Sequence, residues 1–271
     1  MSLGRALALP LAPVLLWQGR RVRRDTPKLP EADGPREGID GAEKSDQSGE
    51  PGKPDEPNKP NKPDKPDKPD EPLRLLILGD SSAAGVGASH QREALSGQLR
   101  ACLASTLAVP LHWRVVARTG IATGEALALL DEAMPDQPEH FDIALVALGV
   151  NDVTALRGVS RWLADVDRVC ARLRERHSVK RLIWSGLPPM HRFPSLPQPL
   201  RMVMGLHARA LDRALATHFL RDGSANGRRH IAMPLMPEGA VASDGFHPGP
   251  LAYARWAQTL HSALDQDKKP A

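Results

Sequence analysis

The sequence predicts an α/β protein built on a parallel sheet covered by helices on both faces. Two nearly unbroken apolar runs of strand length, Leu73–Leu78 and Asp142–Leu148, carry the composition of strands buried on both sides. The stretches between such runs have apolar residues at helical spacing, and strands alternating with helices imply parallel pairing. Both runs stop abruptly at small polar turns, Gly79-Asp80-Ser81-Ser82 and Gly149-Val150-Asn151-Asp152. Open α/β sheets carry their chemistry in turns at the carboxyl ends of strands.

Along the chain, residues 1–26 form a short apolar and basic N-terminal segment. Its run Ala6–Trp17 is shorter than the roughly 20 residues of a membrane span, and Arg20, Arg21, Arg23 and Arg24 follow it. Most of the charges lie after the apolar stretch and no small-residue cleavage site follows, so a secretory leader is disfavoured. The segment is expected to dock on the folded domain that follows or to make peripheral membrane contact; a cytoplasmic or membrane-peripheral location is favoured over secretion. Residues 27–72 are expected to form a disordered or semi-rigid linker. In its second half Pro54, Pro57, Pro60, Pro63, Pro66, Pro69 and Pro72 recur every third residue, the repeat of polyproline II.

Residues 73–271 make the main folded domain. After the first strand, Leu95, Leu99, Leu103 and Leu107 give Gln91–Leu107 a helical stripe. Leu111–Ala117 is the second strand, followed by a glycine-bearing turn, Arg118–Gly124, and a helix from Glu125. Asp142–Leu148 is the third strand, Ser160–Glu175 an amphipathic helix and Lys180–Ser185 the fourth strand. Gly186–Gln198 is too proline-rich for helix or sheet. A helix over Leu200–Leu220, a short strand at His230–Met233, a polar turn at Ser243–Pro248 and a helix over Leu251–Leu264 complete the chain.

Composition removes several classes. Of 271 residues 41% are hydrophobic, enough for a core, and the net charge is only +4. No basic stripe interleaved with aromatics is present in the folded part, so nucleic acid is not an expected partner. Cys102 and Cys170 lie in helical stretches and read as buried thiols. The serine turn lacks the Gly-Lys-Ser/Thr ending of a phosphate loop, and Gly85-Val86-Gly87 lacks the third glycine of a dinucleotide fingerprint. Clustered metal ligands are missing as well, so no cofactor or metal is expected.

What remains is a constellation for acyl transfer. A serine hydroxyl is a weak nucleophile until a base takes its proton, and His247 can serve Ser81 in that way. Asp244 can accept from the other ring nitrogen and hold the tautomer. The oxyanion then needs donors, for which the backbone N–H groups of Ser81 and Gly120 and the side-chain amide of Asn151 are the candidates.

These residues resemble the blocks of the SGNH/GDSL hydrolase family: Gly79-Asp80-Ser81, Thr119-Gly120, Gly149-Val150-Asn151-Asp152 and Asp244-Gly245-Phe246-His247, in the family's order. The resemblance implies a three-layer α/β/α fold of flavodoxin type with a five-stranded parallel sheet. It also implies an esterase or lipase-like enzyme acting on small-molecule or lipid-like esters, with Ser81, Asp244 and His247 as the triad. Acyl transfer, carbohydrate deacetylation and a non-catalytic binding module on the same fold are the alternatives. Two departures stand out. Ser82 replaces the usual leucine, so two hydroxyls are adjacent, and Ala117-Arg118-Thr119 replaces an asparagine-bearing approach to the glycine, leaving Gly124 as a rival to Gly120. Met190, Phe193, Leu196, Leu200, Met202 and Met204 form either an apolar lip for an acyl chain or the packing face of a helix.

Overall fold

The computed structural model describes residues 2–41, 71–135, 139–221 and 227–266. Its six strands are β1 (Glu37–Asp40), β2 (Leu73–Gly79), β3 (Leu111–Ala117), β4 (Ile143–Ala147), β5 (Arg181–Ser185) and β6 (Arg228–Ile231). They lie in the order β1-β3-β2-β4-β5-β6, with β2 to β6 parallel and β1 antiparallel to β3. The five parallel strands thus have the doubly wound order of flavodoxin-like sheets, as expected. The last strand falls slightly earlier than its predicted His230–Met233.

The helices are α1 (Leu3–Ala8), α2 (Ala12–Asp25), α3 (Leu95–Ala104), α4 (Ala126–Ala133), α5 (Val150–Thr154), α6 (Val159–His177), α7 (Leu200–Arg221) and α8 (Pro250–Gln266). Successive strand side chains point to opposite faces, which is why β2 feeds two cores. Leu75 and Ile77 pack with α3 and α8; Leu76 and Leu78 pack with α4, α6 and α7. All four are fully buried, each contributing ~1.5–3 kcal/mol. An apolar run without alternation is the signature of a central strand covered on both sides.

The N-terminal segment is docked on this domain. Gly4 of α1 lies against α7 so closely that a Cβ there would stand 2.8 Å from the backbone nitrogen of His207. In α2, Gln18 donates to the Gln198 carbonyl at 2.6 Å and accepts from the Leu200 N–H at 3.1 Å. The second bond satisfies an amide that the first turn of α7 cannot pair internally.

The expectation of a linker from Pro27 is corrected over residues 27–41, which lie on the sheet domain. Ala32 is buried, its N–H donates to the Ala84 carbonyl at 3.2 Å, and β1 adds an edge strand to the sheet. Apart from Ala32, so polar a stretch is held by backbone pairing and charge. Arg100 donates two 2.6 Å bonds to Asp40 while its guanidinium stacks 3.6 Å from the Trp113 ring. The proline repeat, except Pro72, lies outside the described residues. Both cysteines are free; Cys170 is buried, which pushes its thiol up to about 11, whereas Cys102 is only half-buried.

Candidate active site

β2 ends at Gly79, which pairs in register with Ala117 of β3 on one side and Ala147 of β4 on the other. The turn that follows therefore emerges between Arg118–Gly120 and Leu148–Asn151. Within it the two adjacent hydroxyls have different partners. Ser82 Oγ donates to Asp80 Oδ1 at 2.8 Å, and the Ser82 N–H donates to the same oxygen at 3.0 Å. Ser81 Oγ instead lies 3.0 Å from His247 Nε2. Asp80 is buried, and its Oδ2 has no partner among the described residues. Burial pushes this carboxyl up, against the opposing pull of the Ser82 bonds and His247.

His247 is set by its own turn. Asp244 Oδ1 accepts the N–H groups of Phe246 at 2.9 Å and His247 at 3.0 Å, and Oδ2 lies 2.5 Å from His247 Nδ1. A carboxylate accepts at Nδ1 only if that nitrogen carries the proton, which leaves the Nε2 lone pair facing Ser81. Burial would raise the Asp244 carboxyl, but the bonds from the His247 ring and the two amides outweigh it and hold it below the usual carboxylate range.

Residues so distant in sequence meet because the two turns touch backbone to backbone. Gly87, at φ +99°, leaves room for Pro248; a Cβ there would stand 2.2 Å from the Pro248 carbonyl oxygen. Tyr253 of α8, fully buried, donates to the Val86 carbonyl at 2.7 Å. The Pro-rich loop after β5 closes the other side: Ser195 donates through N–H and Oγ to the Gly245 carbonyl at 3.2 and 2.9 Å.

The two candidate oxyanion loops are tied to each other. Asn151 Nδ2 donates one hydrogen to the Ile121 carbonyl at 2.9 Å, and its second is available to another acceptor. Beneath it, buried Asp152 accepts from Thr123 N–H at 2.9 Å and Thr123 Oγ1 at 2.7 Å, while Trp162 donates to that hydroxyl at 3.0 Å. Gly120 is exposed at φ +88°, with open space where a side chain would be. Its N–H and that of Ser81 donate to no other group among the described residues. Gly124 by contrast sits over the Arg157–Asp165 ion pair, where a Cβ would meet the Asp165 carboxylate at 3.3 Å. The geometry favours Gly120 over its rival.

Sequence reasoning missed Glu31. Its Oε1 accepts from Thr119 N–H at 2.8 Å and Thr119 Oγ1 at 2.6 Å, and its other oxygen pairs with Arg36 at 2.6 Å. Burial opposes the charge, but the Thr119 and Arg36 bonds outweigh it and hold this carboxyl low. The departure from an asparagine before the glycine is thus accommodated by a carboxylate from a segment read as linker. Glu31→Ala is expected to lower kcat on a p-nitrophenyl ester about tenfold, equivalent to ~1.4 kcal/mol, with KM little changed and Glu31→Gln recovering part. Steady-state kinetics of the three proteins checks this.

From Ser81 and His247 opens a cavity of about 430 Å³ with mostly apolar walls, including Leu148, Phe193, Met233 and Met236. Of the residues offered as a lip, only Phe193 lines it. Met190, Leu196, Leu200 and Met204 are buried in the core, and Met202 is exposed on α7. The four buried ones serve packing. The actual wall uses Met233 and Met236, which follow β6 and carry no periodic signal.

Residues 77–255 match the GDSL-like Lipase/Acylhydrolase family. The chain belongs to this family. It is 29% identical over 199 residues to a GDSL-like esterase of Mycobacterium tuberculosis, covering 71% of this chain and 62% of that relative. It therefore spans less than two thirds of the relative's length. Among solved structures the fold is similar to a lipase from a goat rumen metagenome, at 20% identity and TM-score 0.57, over 70% of this chain and 97% of the other. An extracellular lipase of Streptomyces rimosus matches at 17% identity and TM-score 0.51, over 70% and 99%. The GDSL match begins within β2 and ends within α8, so it leaves out the N-terminal residues 2–41 that this chain packs on the domain.

Proposed function

We propose that the protein is a serine hydrolase of carboxylic esters working through an acyl-enzyme, with Ser81, His247 and Asp244 as nucleophile, base and orienting acid. The observation that carries this is the hydrogen-bonded chain from Asp244 through His247 to Ser81 Oγ at the mouth of an apolar cavity. Ser81 Oγ adds to the ester carbonyl as its proton passes to His247 Nε2. The imidazolium so formed is stabilised by Asp244 and returns the proton to the leaving alcohol as the C–O bond breaks. Water, deprotonated by the same nitrogen, then cleaves the acyl-enzyme and regenerates Ser81. The charge on the tetrahedral oxygen falls to the N–H groups of Ser81 and Gly120 and the free amide hydrogen of Asn151.

The apolar lining favours the ester of an acyl chain over an acetylated sugar. A p-nitrophenyl ester series from acetyl to long-chain is expected to peak at a chain longer than acetyl. A fluorophosphonate probe is expected to label the wild-type protein with loss of fluoride. A folded protein that neither hydrolyses any ester of the series nor takes the probe would be a non-catalytic binding module instead.

A further inference from the structure

The outward side of α2 has no role in the site, and its composition is unlike that of an ordinary surface helix. Its inward stripe, Leu11, Leu15, Gln18 and Val22, packs on the domain, with Leu15 and Gln18 buried. That leaves Pro13, Val14, Trp17, Arg20, Arg21 and Arg24 along the outward stripe at i, i+3 and i+4 spacing, with Leu16 and Arg23 beside it. A solvent-facing stripe is normally polar throughout. Here the first half is apolar and exposed: Val14 is 45%, Leu16 63% and Trp17 59% accessible, and Leu9 just before the helix 71%. The second half is basic. Arg21 and Arg24 share Asp25, the one acid in α2, while Arg20 and Arg23 make no ion pair among the described residues.

We propose that this stripe is a docking surface for an anionic lipid bilayer, with Leu16 and Trp17 entering the acyl boundary and the arginines meeting the headgroup phosphates. A contiguous apolar patch needs an apolar partner, and a cluster of arginines next to it selects an anionic one. No helix among the described residues is long and apolar enough to cross a membrane, so α2 lies along the interface. Gln18 fixes it to the end of the loop that carries the cavity residue Phe193, so the surface is presented rigidly.

The test uses the full chain and vesicles of phosphatidylcholine with or without phosphatidylglycerol. Trp17 makes the readout selective, because Trp113, Trp162, Trp184 and Trp256 are all buried. The expected result is co-sedimentation with phosphatidylglycerol vesicles, weakened about tenfold on moving from low to high salt, with quenching of Trp17 by brominated acyl chains. Replacing Arg20, Arg21, Arg23 and Arg24 by Gln is expected to abolish binding, as is Leu16→Ser with Trp17→Ser. Both variants should turn over a water-soluble ester at the wild-type rate, because the inward stripe is untouched. Equal binding to both vesicle types, absence of binding at low salt, or binding without quenching would overturn the proposal. So would a dimer in lipid-free buffer in which Trp17 is already shielded, since a second copy would then cover the stripe.

Discussion

Ser81→Ala is expected to abolish p-nitrophenyl ester hydrolysis, with kcat falling by ~10⁴-fold or more, while Ser82→Ala keeps most of the wild-type rate. The two hydroxyls are neighbours on one turn and nothing in their residue type separates them; their partners do. Ser81 Oγ is 3.0 Å from His247 Nε2, the base proposed to take its proton, whereas Ser82 Oγ is occupied by Asp80. Removing the Ser82 hydroxyl leaves the Asp80 oxygen with one donor, the Ser82 N–H, in place of two. The cost therefore falls on stability, ~1–3 kcal/mol for a buried acceptor losing a partner, and appears as a lower Tm with kcat largely intact. Initial rates together with thermal melts of the two variants measure both sides. A dead Ser82→Ala and an active Ser81→Ala would reverse the assignment.

Asp244→Asn is expected to cost kcat ~10⁴-fold with the fold retained. The substituted amide keeps one oxygen to accept from the Phe246 and His247 amides, so the turn holds. Where its NH₂ group faces His247 it presents a donor to Nδ1, which moves the imidazole proton to Nε2 and leaves no base toward Ser81. The same carboxylate also governs an acid limb of stability. Its folded pKa is lowered from the model-peptide value of 3.8, so the unfolded chain takes up this proton first as pH falls. The stabilisation is complete above about pH 4 and is lost as pH drops through the folded value. Tm measured from pH 6 to pH 3 should fall less steeply for Asp244→Asn than for the wild type. Parallel profiles would mean that Asp244 is not the low-pKa group.

Much of this was legible in the residues. A nearly unbroken apolar run such as Leu73–Leu78, in which Leu75–Leu78 are consecutive, is the pattern of a strand buried on both faces, and that requirement leads to a parallel sheet with helices above and below. The blocks around Ser81, Asn151 and His247 were legible for a related reason: each is a short local turn whose polar residues follow directly from the strand or precede the helix that positions them. The methionine-bearing stretch after β5 left two readings open, a lip or packing, because apolar residues signal burial without naming what they are buried against. The structure gives packing for all but Phe193, which lines the cavity, and Met202, which is exposed. Residues 27–41 were misread because they lack apolar content, and their attachment through β1, Asp40–Arg100 and Glu31–Thr119 consists of backbone pairing and long-range charge. Neither leaves a pattern along the chain.

By itself the sequence determined the α/β class, the alternation of elements and the set of turns from which a site is drawn, because burial period and turn chemistry are local properties. Only the tertiary structure decided which serine faces the imidazole, that Gly120 rather than Gly124 stands open to a ligand, and that Met233 and Met236 line the cavity. Those are matters of distance between segments far apart in sequence, set by the approach of Gly87 to Pro248 and by the packing of α8 on the sheet.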